Sequence, residues 1–325
     1  MRLQVLLAAL AVATPSFAQI TPIWSSTESE VIPYDAQYGR TEHVLLGDGS
    51  AFMVASETSR SGLAGTLRLA VDGEMTRGQF GHRPVSGGRL SPEAVLAASG
   101  DRVLLAMTEL DNTRALVVLV DSGGQPQWVR PRYGREARFL ANGDVLLAAG
   151  NELMRLRGSD GDLVWVRNLL DLSANAYEVA FQLPTAIGAA IPLSLSFAAS
   201  TPNGPVNHSD PVLVSLDVAT GELQWRRDRE AAPARVFESC APVKLANDSV
   251  HAYFELVGAQ VDVVFERRSD ADGALLWATR VPAVDYSDGP CGFVASSTLL
   301  ALSTREETTQ STLVALSHGG AVLWR

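Results

Sequence analysis

The chain has 325 residues, of which 46% are hydrophobic and 19% charged, a composition that excludes a disordered protein. A mean hydropathy of +0.09 excludes a polytopic membrane protein. Acidic residues outnumber basic ones by 36 to 26, so the net charge of −10 repels a phosphate backbone and we predict no nucleic-acid partner.

Residues 1–18 have the pattern of a secretory signal peptide. A positive charge at the start is followed by an apolar run over residues 3–12, and the small residues Ser16 and Ala18 precede Gln19. The run is shorter than the roughly 20 residues that span a bilayer, which favours cleavage over a retained anchor. We therefore expect a monomeric, periplasmic or secreted bacterial protein that begins at Gln19 and has no membrane span.

A glycine followed four residues later by tryptophan recurs along the chain. The five copies run from Gly124 to Trp128, Gly161 to Trp165, Gly221 to Trp225, Gly273 to Trp277 and Gly320 to Trp324. A weaker copy, Gly73 to Arg77, has arginine in the tryptophan position. Successive glycines are 51, 37, 60, 52 and 47 residues apart, which indicates one repeated supersecondary unit with loops of variable length.

Each copy has the pattern of a β-hairpin. In the clearest one, strand 212–216 leads through a turn, whose glycine suits positive φ, into strand 223–225. A second turn-and-strand pattern lies upstream in each unit, as in 141–148, so each unit holds four short strands. The fold class predicted is all-β, a β-propeller of about six four-stranded blades, with the tryptophans wedged between neighbouring blades.

The repeat resembles the tryptophan-docking repeat of pyrroloquinoline-quinone-like propellers, most clearly in Leu213–Arg226 and Asp160–Arg167. The resemblance extends from Val44 to Arg325 and implies a quinoprotein-type propeller. Quinone-dependent dehydrogenases share this architecture with non-catalytic scaffolds of outer-membrane assembly. The dehydrogenases have a larger ring, adjacent cysteines under the cofactor and a bound calcium ion. This chain has neither the length nor adjacent cysteines, so we expect the non-catalytic branch and no cofactor.

Cys240 and Cys291 are the only cysteines in the chain. Export would place them in an oxidising compartment, and both lie at the same phase of consecutive units. We predict a disulfide bond between them, with two buried free thiols as the alternative.

The predicted organisation has three parts: the signal peptide over 1–18, an N-terminal segment over 19–42, and the propeller over 43–325. The N-terminal segment includes Pro22–Ser25, which resembles an additional outer strand. The last unit keeps its own outer strand, so Pro22–Ser25 has no blade to complete. Six blades with Pro22–Ser25 added outside the ring are favoured over a ring completed by something the chain lacks. An open ring would expose two long strand edges.

Metal sites are not predicted. Asp160-Gly-Asp162 and Asp270-Ala-Asp272 resemble pieces of a calcium loop, but no closing Glu follows, and both coincide with repeat turns, where Asp is favoured for its backbone behaviour. The five histidines lack zinc-site spacing. The basic cluster over 130–138 is interpreted as solvated loop arginines, with an acidic partner or lipid headgroup as the alternative.

The predicted function is an exported non-catalytic scaffold that binds another envelope protein or peptide through its loop face or central funnel. Two alternatives stay open: an enzyme with its site in the funnel, quinone-dependent or hydrolytic, and the sensory ectodomain of a longer protein. Candidate funnel residues are Arg235, Glu238, Asp285 and Asp288, which flank the two cysteines in equivalent loops. None of them is predicted to be catalytic.

Overall fold

The structure is a computed structural model. It describes residues 38–46, 48–57, 64–70, 74–80, 90–109, 114–174, 176–201, 204–206, 212–228, 235–257, 260–282, 292–295, 299–303 and 313–324. Within these ranges the regular elements are β-strands and one short 3₁₀ helix, Leu169–Leu172. The strands form six antiparallel sheets that follow one another along the chain.

The first three sheets each contain four strands paired in chain order. Blade one comprises β1 (Tyr38–Leu45), β2 (Ala51–Glu57), β3 (Ala64–Leu69) and β4 (Met75–Phe80). Blade two comprises β5 (Leu90–Ser99), β6 (Arg102–Glu109), β7 (Arg114–Asp121) and β8 (Pro126–Arg130). Blade three comprises β9 (Glu136–Phe139), β10 (Val145–Ala149), β11 (Glu152–Leu156) and β12 (Leu163–Asn168).

The next two sheets have the same four-stranded order with one short strand added to each. Blade four comprises β13 (Ala176–Ala180), β14 (Ala190–Thr201), β15 (Gly204–Val206), β16 (Val212–Asp217) and β17 (Leu223–Asp228). Blade five comprises β18 (Arg235–Ser239), β19 (Val243–Lys244), β20 (Asp248–Val257), β21 (Gln260–Ser269) and β22 (Leu275–Val281). The added strands β15 and β19 pair with β14 and β20.

Blade six comprises β23 (Gly292–Ala295), β24 (Leu299–Ser303), β25 (Leu313–Ser317) and β26 (Val322–Trp324). The described residues therefore form an all-β propeller of six blades, four with four strands and two with a fifth short strand, in line with the predicted number of about six. Its first sheet includes residues from Tyr38 onward, ahead of the expected boundary at residue 43. The predicted signal peptide and the strand at Pro22–Ser25 lie outside the described residues.

The middle strands are apolar on both faces because a blade packs against a neighbour on each side. In β6, Val103 and Leu105 point into a cluster shared with blade one, whereas Leu104 and Ala106 point into one shared with blade three. Successive side chains of a strand alternate between its faces, so two apolar faces produce the continuous apolar run seen in this strand. The core of the protein thus lies between blades.

Four of the repeat tryptophans dock on the following blade, as predicted. The indole N–H donates to a backbone carbonyl in the next blade's turn: Trp128 to Gly158 (3.0 Å), Trp165 to Val218 (3.1 Å), Trp225 to Asp270 (2.7 Å) and Trp277 to His318 (3.0 Å). The fifth, Trp324, is 47% exposed. The glycine of the receiving turn lies against the ring and has positive φ, for example 71° at Gly273.

A second contact between blades was not predicted from the sequence. In blade three, Asp144 accepts a hydrogen bond from Nη2 of Arg155 (2.7 Å), and Nη1 of Arg155 donates to the carbonyl of Val218 (3.0 Å), which also accepts the Trp165 indole. Burial raises the pKa of Asp144, but hydrogen bonds from the Gly158 N–H and from Arg155 outweigh that effect and hold it below its ordinary value. Blade five repeats the arrangement with Asp248, Arg267 and the carbonyl of His318.

Candidate functional site

The connections of the propeller fall on two rims. Four antiparallel strands return each blade to its starting side, so the innermost strands all begin on the same rim. We call this side the loop rim; its described part includes 131–135, 169–174, 176–178, 256–257 and 260. The opposite side, the turn rim, carries the glycine turns that receive the tryptophans.

Exposed apolar side chains gather on the loop rim. Tyr133 and Tyr177 are 60% and 47% exposed, and Leu256 and Val257 at the β20–β21 hairpin are 40% and 44% exposed. The other exposed large apolar side chains of the described residues lie on the outermost strands β12, β17, β22 and β26. On the loop rim, the exposed apolar groups are thus Tyr133 in a connection between blades, Tyr177 near the start of β13, and Leu256 and Val257 at the end of β20.

Charged residues on the innermost strand of blade three contact backbone groups of blade four. One carboxylate oxygen of Glu136 accepts from Nη2 of Arg138 (2.7 Å), and the other accepts from the backbone N–H of Leu183 (2.9 Å). Nε of Arg138 donates to the carbonyl of Pro184 (3.1 Å). These charges link two blades near the axis, so their hydrogen-bonding groups are already engaged within the protein.

The basic cluster over 130–138 has the same structural role. Arg135 donates to the carbonyl of Phe181 (2.5 Å), and its guanidinium carbon lies 4.7 Å from the centroid of the Phe181 ring, a cation–π contact. Arg130 forms an ion pair with Asp162 of the next blade (2.7 Å). These arginines were predicted to be solvated loop residues; Arg130 and Arg135 also contact the following blade, while the Arg135 side chain stays exposed.

Two of the four predicted funnel residues lie on an innermost strand. Arg235 and Glu238 belong to β18 and pair with Leu256 and Phe254 of β20. Asp285 and Asp288 lie outside the described residues. The grouping of the four residues around the funnel stays a prediction.

Cys240 follows β18 and is buried, with its backbone N–H donating to the carbonyl of Ala252 (2.9 Å). Cys291 lies outside the described residues, so the predicted bond between the two stays a prediction.

Two aspartates of the stretches that resemble a calcium loop, Asp160 and Asp272, cap their own turns. Asp160 accepts from the N–H of Asp162 (2.9 Å), and Asp272 accepts from the N–H of Ala274 (3.0 Å). These backbone hydrogen bonds make the largest contribution to lowering the pKa of each carboxylate. In the described part of the chain, no three His, Cys, Asp or Glu side chains are grouped as metal ligands would be.

Sequence reasoning missed a polar interface between blades four and five. Seven of the nine buried polar residues among those described lie on its strands: Ser194, Ser196, Ser215, Ser249, His251, Glu255 and Asp262. The signal was present in β20, where Ser249, His251, Tyr253 and Glu255 alternate with apolar residues. We call this interface the polar seam.

Comparison with known proteins concerns the fold. No protein-family profile matches the chain, and no curated protein matches it in sequence. None of the described helices is long and apolar enough to cross a membrane.

The solved structures that it resembles include BamB from Moraxella catarrhalis, at 14% identity and a TM-score of 0.39 over 89% of this chain and 90% of that one. A prolyl endopeptidase is 13% identical with a TM-score of 0.50 over 89% of this chain and 41% of that one. A europium-containing methanol dehydrogenase is 12% identical with a TM-score of 0.45 over 85% and 66% of the two chains. At these identities the likeness concerns the β-propeller fold alone.

Proposed function

We propose that this protein is an exported, non-catalytic scaffold that binds another envelope protein or peptide through its loop rim. The observation that supports the proposal is the set of exposed side chains on that rim, Tyr133, Tyr177, Leu256 and Val257. Tyrosine is enriched at protein interfaces because it offers a large apolar area with a hydrogen-bonding tip at a low cost in side-chain entropy.

The chemistry of the inner strands favours the rim over the funnel as the binding surface. Glu136 and Arg138 of β9 are engaged in contacts with blade four, so a ligand would have to displace existing hydrogen bonds to reach them. On the rim, Arg280 of β22 forms ion pairs with Glu255 and Asp262, and its side chain remains 46% exposed. Apolar area with a charge beside it is typical of a protein-binding surface.

Site-specific photo-crosslinking in the native envelope tests the proposal. A benzophenone amino acid placed at Tyr177 should form an adduct of defined mass with one partner, and Tyr133→Ser in the same chain should reduce that adduct severalfold. The same crosslinker at Leu276, equally exposed on the outermost strand β22, is the matched control and should give no such adduct.

Failure of crosslinking at both Tyr133 and Tyr177, or an equal adduct at Leu276, would contradict binding through the loop rim. Circular dichroism of each variant checks that the propeller is intact.

Export has a separate test, because it rests on residues 1–18. The protein should be recovered from the periplasmic or culture fraction with an N-terminus at Gln19. Recovery from the cytoplasm with residues 1–18 still present would contradict export but would leave the proposed binding surface untested.

A further inference from the structure

The described interfaces between successive blades differ in chemistry. Apolar clusters join blade one to two, two to three, three to four and five to six. Between blades four and five, the described apolar cluster holds only Tyr253 and Val264, both from blade five. Burial of apolar area is the main source of cohesion between packed sheets, so the polar seam has less of it than the other described interfaces.

Blade five has two chemically different faces because side chains alternate along its strands. In β20, Val250, Ala252 and Phe254 point into the cluster shared with blade six. The intervening side chains, led by His251, point toward blade four, where His251 meets Ser194.

His251 bridges the two blades through its ring. Its Nδ1 lies 2.9 Å from Oγ of Ser194 in β14, and its Nε2 lies 3.1 Å from Oγ of Ser249. The His251 and Ser249 residues are 0% exposed and Ser194 is 1% exposed. The ring also lies edge-on to Trp225, with centroids 6.5 Å apart and planes at 69°. A neutral imidazole satisfies this site, since one nitrogen donates and the other accepts.

The charged groups around His251 are engaged with one another. On β21, Glu266 pairs with Arg268 (2.6 Å) and accepts from the hydroxyl of Tyr253 (2.7 Å). Further along the seam, Arg280 pairs with the buried carboxylates of Glu255 and Asp262.

On the blade-four side of the seam, β14 contributes Ser194 and Ser196, while Arg227 of β17 donates to the carbonyl of Asp272 at the turn rim. On β18, which pairs with β20, the charged residues are Arg235 and Glu238. On β19, which also pairs with β20, the charged residue is Lys244, and it forms an ion pair with Asp270. Glu266, which lies opposite His251 in the register of β20 and β21, is paired with Arg268.

We propose that the polar seam is an acid-sensitive joint: it loosens ahead of the other described interfaces when the pH falls below neutrality, because His251 takes up a proton once blades four and five separate. Burial, and then the charge of Arg268, lowers the pKa of His251 from 6.5 to about 3 in the closed seam. In the open seam the ring returns to its ordinary value. The open form therefore binds more protons between these two values, and the closed form loses relative stability as the pH falls through that window.

Hydrogen–deuterium exchange of the intact protein tests the proposal within one sample. Amide protection in β14 and β20, corrected for the intrinsic effect of pH on exchange, should fall about thirtyfold between pH 7.5 and 5.0, as uptake of one proton by a group of pKa 6.5 requires. Protection in β6 and β10, at the apolar interface between blades two and three, should not show this dependence.

His251→Asn keeps a donor and an acceptor for the two serines but removes the titrating group, so the pH dependence at the seam should disappear. His318→Asn is the control, because His318 contacts Trp277 and Arg267 through its backbone carbonyl, and this variant should keep the dependence. Equal pH dependence at both interfaces of the wild-type protein, or a dependence at the seam that survives His251→Asn, would overturn the proposal. The comparison of the two interfaces in the wild-type protein needs no variant, so it tests the proposal even if His251→Asn does not fold.

Discussion

At the scale of single residues, the glycine of each repeat meets two requirements at once. Gly273 has a φ of 71°, and a Cβ built on it would lie 2.7 Å from Cδ2 of Trp225. Residues with a side chain rarely adopt a positive φ of this size. The packed indole also leaves no space for a Cβ at this position. The four-residue spacing between glycine and tryptophan therefore combines a turn with half of a docking contact to the preceding blade.

Gly273→Ala should lower the free energy of unfolding by about 2 to 4 kcal/mol, because left-handed strain and a clash with the Trp225 ring add together. Gly100→Ala is the matched control, since Gly100 has a φ of 60° but no heavy atom within 4 Å of the added Cβ. That variant should cost about 1 kcal/mol from strain alone. Urea denaturation measures both, and equal losses would show that the indole yields to the added methyl group.

At the scale of elements, the outermost strand of a blade is held by its tryptophan. Trp225 is 6% exposed and donates to the carbonyl of Asp270, whereas Trp324 on β26 is 47% exposed. The same residue type in the same repeat position is therefore predicted to contribute very different amounts of stability, depending on whether the indole is docked on another blade.

Trp225→Phe should destabilise the protein by about 1 to 3 kcal/mol, because it leaves the buried carbonyl of Asp270 without its indole donor. Trp324→Phe should change the free energy of unfolding by no more than about 0.5 kcal/mol, as expected of an exposed position. Chemical denaturation of the two variants side by side makes the comparison. A loss at Trp324 as large as that at Trp225 would contradict the assignment of Trp324 as undocked.

At the scale of the whole molecule, a bond between Cys240 and Cys291 would connect blades five and six across about 50 residues of chain. These blades also share an apolar cluster, so the bond would reinforce an interface on the side of blade five opposite the polar seam. The fifth blade would then be held firmly on one side and less firmly on the other.

Reduction should lower the free energy of unfolding by about 4 kcal/mol, the loop-closure effect of a crosslink of this length on the unfolded chain. The unfolded, unreduced protein should contain no thiol that reacts with Ellman's reagent. A Cys240→Ala, Cys291→Ala double variant should be insensitive to reductant. Two reactive thiols in the unreduced chain would refute the bond.

Local patterns predicted a propeller of about six blades, its hairpins and the docking of five repeat tryptophans, of which four dock on the following blade. These features depend on neighbours in sequence: alternation specifies strand faces, and glycine four residues before tryptophan specifies a turn followed by an outer strand. The arginine contacts between blades could not be predicted, because Arg155 and Val218 are 63 residues apart and only packing brings them together.

The sequence by itself determined that the chain folds as six repeated antiparallel units, because each unit carries its own strand and turn signals. Only the tertiary structure decided which face of a blade meets which neighbour. That pairing places Ser194 against His251 and so makes this interface polar, whereas the other described interfaces hold apolar clusters. Whether a polar side chain is buried depends on the residues that the neighbouring blade places against it. The sequence of one repeat alone does not predict those residues.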